Sequence, residues 1–245
     1  MRTNLDTPYV LFIPGAWMGA WIWDPTVDRL RSRGIDADSL TLAGLESGAS
    51  ASRIAEIRLA DHVEQVTDRL LRRVDRPAVL VGHSYSGMVA AQVADRRGER
   101  TVTSIHFDSF LPVNGRSLID GWGPDDTARA QERTDILDAH YQWAPPPAAA
   151  LSVEPGLSPE NRRYLAERLT PHPGHTVLDP ATMQQPVETQ RGTYIASSPG
   201  NVPGALAALH AETWHVRVLE SGHWPMLERP DDVASLIADL VGSAT

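Results

Sequence analysis

Residues 79–87 read Val79-Leu80-Val81-Gly82-His83-Ser84-Tyr85-Ser86-Gly87, an apolar run that ends in a glycine-flanked serine and passes at once into a helical stretch over 88–97. A chain that leaves a buried strand and enters a helix within so few residues turns sharply. The residue at the apex is held in a strained backbone conformation with its side chain exposed, the way acyl-transfer chemistry presents a serine nucleophile. Ser84 is therefore the candidate nucleophile, and the strand-turn-helix unit around it points to an α/β fold.

The rest of the chain repeats that rhythm. Residues 9–13 form a short apolar run stopped by Pro14-Gly15, and residues 23–33 show helical spacing before Gly34. An extended pattern returns over 35–42, residues 43–52 are small and polar, and residues 57–74 carry apolar side chains at 59, 63, 66, 70, 71 and 74. Strands are expected at 78–81 and 102–107, separated by the helix after Ser84, which implies a parallel sheet with crossover helices. After Pro112 the alternation stops. Residues 113–185 are rich in proline, with helical segments near 125–141 and 158–169, and their Trp122, Tyr141, Trp143 and Tyr164 are too apolar for a solvated tether. Strands at 192–196 and 214–219 and helices at 202–212 and 230–241 resume the pattern. The expected organisation is a core of residues 1–112 and 186–245 with a cap inserted at 113–185.

Composition narrows the partners. With 245 residues, 42% hydrophobic and 22% charged, the chain is an ordinary globular protein with one core. A net charge of -9 leaves no basic stripe for a phosphate backbone, so nucleic acid is not an expected partner. The absence of cysteine excludes disulfides and thiolate chemistry and fits a reducing compartment, with the cytoplasm as the default. Residues 1–9 are polar rather than leader-like, and no run approaches the roughly 20 apolar residues of a membrane span. The oligomeric state is left open, a homodimer included.

A serine hydroxyl needs a base near neutral pKa. His223 follows the strand expected at 214–219 and precedes the last helix, in Glu220-Ser221-Gly222-His223-Trp224-Pro225. In an open parallel sheet the ligand crevice lies at the carboxyl ends of the strands, and both Ser84 and His223 fall at such ends. The order, nucleophile first and histidine last, fits as well.

The chain resembles the α/β-hydrolase family, in particular the branch of plant methylesterases and hydroxynitrile lyases and their bacterial esterase relatives. The resemblance rests on the glycine loop Pro14-Gly15-Ala16-Trp17-Met18-Gly19-Ala20-Trp21-Ile22-Trp23, on the elbow from Gly82 to Gly87 and on Gly222-His223, with weaker echoes at 42–45, 107–112 and 169–171. It implies a mostly parallel central sheet flanked by helices with an inserted helical cap. It also implies that the backbone amides of Ala16 and Tyr85 form an oxyanion hole. Two departures leave the chemistry intact: Pro14 stands where the family usually has histidine, and Ser86 where a second glycine is common.

A third departure is larger. The family normally keeps its acid after the next-to-last strand, but residues 196–201 here read Ala-Ser-Ser-Pro-Gly-Asn. Asp108, which ends the strand after the nucleophile helix, is the preferred substitute, since some hydrolases of this fold supply their acid from there. Its carboxylate would orient the imidazole without taking its proton. The alternatives are Ser197, Ser198 or Asn201 as a neutral orienter, an Asp108 that merely caps a loop, or a dyad.

Trp17 adjoins the oxyanion residue and is a candidate wall of the acyl pocket, while Trp122, Tyr141, Trp143 and Trp224 are candidates for an aromatic cleft that takes an apolar or aromatic small molecule. His172 and His175 lack a third ligand at metal spacing, so no metal is expected, and no cofactor is needed. His83 reads as elbow packing, His62 rides a helix, and His106, His140, His210 and His215 have no partner visible in sequence.

The function expected is a serine hydrolase cleaving a small ester, with lactone, carbamate and amide as variants. A hydroxynitrile lyase is the alternative, disfavoured by Gly15 and Trp224 where that branch carries threonine and lysine. A binding protein on the same scaffold is a third reading.

Overall fold

The structure, a computed structural model, describes residues 8–72, 76–98, 101–207 and 213–243. Six strands form one sheet: β1 (Tyr9–Ile13), β2 (Ala37–Ser39), β3 (Ala78–His83), β4 (Thr101–Phe107), β7 (Gly192–Ala196) and β8 (Trp214–Val218). Their order is β2-β1-β3-β4-β7-β8, and every pairing is parallel.

Alternation along the strands sorts the core into two layers, because successive side chains of a strand point to opposite faces. Tyr9, Leu11, Ile13 and Leu80 pack on one face with Val63, Val66 and Leu70 of helix α3 (Leu59–Leu71) and Val89 and Val93 of α4 (Ser86–Arg97). Val10, Phe12, Val79 and Val81 pack on the other with Val27 and Leu30 of α1 (Asp24–Ser32) and with Val233, Ile237 and Val241 of α11 (Pro230–Ser243). A strand buried on both faces reads as a continuous apolar run, which is why β1 and β3 stand out in the sequence.

The extended pattern over 35–42 yields only the three residues of β2. Past Ser39 the chain turns from the sheet to neighbouring loops: the Thr41 hydroxyl accepts the Ala20 N–H at 2.9 Å and the Thr41 carbonyl accepts from Gln65 at 3.0 Å. Helix α2 (Ala51–Glu56), capped by the Ser50 hydroxyl, starts at the end of the stretch read as small and polar, and α6 (Ala148–Val153) follows the proline run at 145–147. The helix expected over 202–212 is described as α9 (Gly204–Ala207), and 208–212 lie outside the described residues, as do the polar residues 1–7.

Between β4 and β7 the chain builds α5 (Asp126–Asp138), α6, α7 (Pro159–Ala166) and α8 (His175–Leu178). An antiparallel pair, β5 (Gln142–Trp143) with β6 (His172–Pro173), ties the segment together. Residues 142 and 173 are far apart in sequence, so no hairpin signal announced this pair. A last short helix, α10 (Pro225–Glu228), follows β8. Among the described residues no helix is long and apolar enough to cross a membrane.

Strand order decides where a site can form. After β1 the chain goes to β2 on one side and then returns to β3 on the other, so the loops after β1 and β3 diverge and leave a crevice at their carboxyl ends. The glycine loop follows β1 and the elbow follows β3.

Candidate active site

Ser84 has φ 53°, a left-handed conformation costing about 1–3 kcal/mol, which persists only where the surroundings over-determine it. They do so here. The Ser84 N–H donates to the Phe107 carbonyl at 3.0 Å, and the Ser84 carbonyl accepts from Gly87 and Phe110 at 3.2 and 3.1 Å. A Cβ on Gly87 would lie 2.4 Å from the Phe110 carbonyl oxygen, so the glycine is a steric requirement. Ser86, the departure from the glycine pattern, is buried and staples the elbow: its hydroxyl accepts the His83 N–H at 2.8 Å and donates to the Ile13 carbonyl at 2.7 Å.

His223 and Asp108 meet at the same mouth. Asp108 (φ 39°) ends β4, its Oδ1 accepts the Ser197 N–H at 2.9 Å, and its Oδ2 lies 3.9 Å from His223 Nδ1. The segment after β7 thus supplies an amide to the carboxylate instead of an acid of its own, and Asn201 bonds the Ser197 hydroxyl at 2.7 Å rather than the imidazole. Burial holds the His223 imidazole below its usual 6.5 while Asp108 pulls it up. About a third of the side chain (36%) stays open to the cleft.

His83, read as packing, does more. Its Nε2–H donates to the His223 carbonyl at 2.8 Å with the two rings 4.6 Å apart, so the residue before Ser84 carries the loop of His223. On the other side the His223 N–H donates to Glu154 at 3.4 Å and the Gly222 N–H to Glu228 at 2.8 Å. Burial, with Glu228 nearby, pushes the Glu154 carboxyl up.

The Ala16 and Tyr85 amides, expected as oxyanion donors, have no hydrogen-bond acceptor among the described residues. A Cβ on Gly15 would lie 2.8 Å from both His83 Nδ1 and Met18 Cε, which explains the glycine beside them.

Ser84, Asp108 and His223 line one cleft of about 1190 Å³ together with Trp17, Trp122, Trp143 and Trp224. The Trp17 and Trp143 rings lie 4.2 Å apart, and Trp122 meets Trp143 edge-on at 4.9 Å. Tyr141, expected with them, stacks on His175 at 3.8 Å instead and does not line the cleft. Four carboxylates, of Asp108, Glu132, Glu154 and Glu188, line it, and no Arg or Lys does so among the described residues. No group of three or more His, Asp or Glu among the described residues is placed to hold a metal ion.

A parallel sheet crossed by helices, with a strained serine after β3 and a histidine after β8, defines the architecture of α/β hydrolases. Residues 10–236 match the alpha/beta hydrolase family, and the chain belongs to it. A carbendazim-hydrolysing esterase of Nocardioides sp. is 32% identical over 109 residues, 44% of this chain and 45% of that protein. The probable hydrolase R7 of Phoma sp. is 24% identical over 97% of this chain and all of its own. Methylesterase 8 of Arabidopsis thaliana is 27% identical over 42% of this chain and 38% of its own. The chain thus matches less than half the length of the first and third of these. Among solved structures, an extracellular α/β-hydrolase from a Paenibacillus species superposes with a TM-score of 0.77 at 17% identity, covering 95% of this chain and 98% of that one.

Proposed function

We propose that this protein is a carboxylesterase-like serine hydrolase that cleaves a small ester through an acyl-enzyme on Ser84. The observation that carries the reading is the Asp108–His223 pair, 3.9 Å apart at the rim of the cleft that holds the strained Ser84. His223 takes the Ser84 proton as the hydroxyl attacks the carbonyl carbon, then returns it to the departing alcohol. Water, deprotonated by the same imidazole, releases the acid. Asp108 holds the ring and stabilises the imidazolium. The Ala16 and Tyr85 amides stabilise the oxyanion, each worth about 2.7–4 kcal/mol of barrier. None of these steps requires a cofactor.

Residues 113–185 act as the cap and set the substrate. The four tryptophan rings of the cleft favour a flat or apolar group, and a lining with four carboxylates and no arginine disfavours an anionic one. Similarity to a carbendazim-hydrolysing esterase and a plant methylesterase supports ester chemistry, with lactone, carbamate and amide bonds as variants.

The test is a panel of p-nitrophenyl, methyl, lactone and aryl carbamate substrates, each in neutral, amine-bearing and carboxylate-bearing forms, run beside Ser84→Ala. Turnover of neutral or cationic aryl esters is expected, with loss of at least about 10⁴-fold in the variant. A fluorophosphonate probe should label Ser84. Failure to label it would favour a binding protein on a hydrolase scaffold, and faster turnover of carboxylate-bearing esters would refute the charge argument.

A further inference from the structure

Trp17 has φ 65°, a conformation that an aromatic residue adopts only at a cost. Three bonds from residues 143–172 hold it there. Its carbonyl accepts the Thr170 N–H at 3.0 Å, its indole N–H donates to the Trp143 carbonyl at 3.1 Å, and its backbone N–H donates to His172 Nδ1 at 3.2 Å. His172, on β6, is fully buried.

Proton counting along this chain of bonds fixes the state of His172. Thr176 has one hydroxyl proton, which goes to the Pro173 carbonyl at 2.6 Å, so toward the His172 Nε2, 2.9 Å away, it acts as acceptor. The Nε2 therefore carries the imidazole proton and Nδ1 presents a bare lone pair, the only form that can receive the Trp17 N–H. Burial and the neighbouring His62 both disfavour a charged ring. A doubly protonated His172 would set two N–H groups against each other.

We infer that His172 is a positioning residue for the oxyanion loop. By accepting the Trp17 N–H it locks the Ala16–Trp17 peptide plane, and with it the approach of the Ala16 amide to the reacting carbonyl. The inference rests on the reading of Ala16 as an oxyanion donor. It assigns a role in transition-state stabilisation to a cap histidine that never touches substrate. A comparable arrangement stands behind the second donor. The His62 Nε2–H donates to the Ala43 carbonyl at 2.8 Å, so its Nδ1 accepts the Tyr85 hydroxyl at 2.8 Å.

The test separates this role from packing. His172→Phe keeps a buried ring and removes the acceptor, whereas His172→Asn returns an acceptor near the Nδ1 position. A trifluoromethyl ketone reports on the oxyanion directly: the Ser84 oxygen adds to its carbonyl carbon, the hydroxyl proton passes to His223, and the ketone oxygen takes the charge. The matching methyl ketone binds without that step.

In His172→Phe, kcat and trifluoromethyl ketone affinity should fall together by about 10- to 100-fold, a part of the 10²–10³ that a whole donor supplies. KM and methyl ketone affinity should stay within about threefold, and His172→Asn should recover most of the loss. Equal losses in the two variants, or an unchanged trifluoromethyl ketone affinity, would overturn the inference. If His172→Phe does not fold, the nitrogen-15 shifts of His172 in the wild-type protein decide: a protonated Nδ1 refutes the assignment and a bare Nδ1 supports it. Wild-type protein that neither labels with fluorophosphonate nor binds the trifluoromethyl ketone would instead refute the serine mechanism itself.

Discussion

The sheet side of the cleft carries strained backbone at Trp17, Ser84 and Asp108, whereas the side built by residues 113–185 carries aromatic rings and carboxylates on ordinary backbone. The two non-glycine residues of that segment with positive φ, His140 and Tyr141, do not line the cleft. Strain of this kind needs a rigid support, and two-sided burial of β1, β3 and β4 provides it. The opposite wall needs only shape and charge, so it is assembled from short helices and a two-residue strand pair. The strained positions of the cleft therefore sit where the sheet over-determines the backbone, and the opposite wall sits on the segment between β4 and β7.

The sharpest way to break this division is Asp108→Asn. If the sheet wall carries the chemistry, kcat should fall by about 10²–10⁴-fold with the fold retained, since an amide cannot stabilise the imidazolium. The kcat/KM profile adds a sign. If His223 works as a neutral base, activity falls as pH drops through its pKa, which already lies below 6.5. Asp108 raises that pKa, so removing its charge should move the acid limb to lower pH. A loss under tenfold, or a limb that moves up, would return the role to a neutral orienter.

Acid stability comes next in size and tests the support of the sheet wall. Burial lowers the His62 pKa to about 4 and that of His106 to about 3. Both refuse a proton that the unfolded chain accepts below 6.5, so their contribution is intact above 6.5 and is lost as pH falls toward 4 and 3. At pH 5 the cost is about 2 kcal/mol for each. Urea unfolding at pH 7 and pH 5 should show a clear drop in midpoint, and equal midpoints would mean that these rings are charged or solvated.

The smallest expected effect concerns the opposite wall. Trp122→Ala should lower kcat/KM for aryl esters by about 10- to 100-fold, from loss of roughly 1–3 kcal/mol of aromatic burial. Short aliphatic esters should change little. A uniform loss on both would show that Trp122 supports the sheet wall instead of reading the substrate.

The core strands and the elbow were legible because their signals are local. A strand buried on both faces is a continuous apolar run, and a serine at a sharp turn needs small residues at fixed offsets. The segment between β4 and β7 was less legible: its β5/β6 pair joins residues about 30 apart, and α6 hides in a run of small residues. The departure at Ser86 looked neutral in sequence. Only the structure shows its hydroxyl joining the elbow to β1.

The amino-acid sequence by itself determined the alternating architecture, the sharp turn at Ser84 and the loop that bears His223, because each follows from spacing within about ten residues. The tertiary structure alone decided which carboxylate faces His223, that His83 reaches a carbonyl 140 positions away, and that His172 meets Trp17 across 155. The last two bond through a backbone group on one side, so no partner side chain marks them in advance. They exist only once packing has brought distant segments to one rim of the sheet.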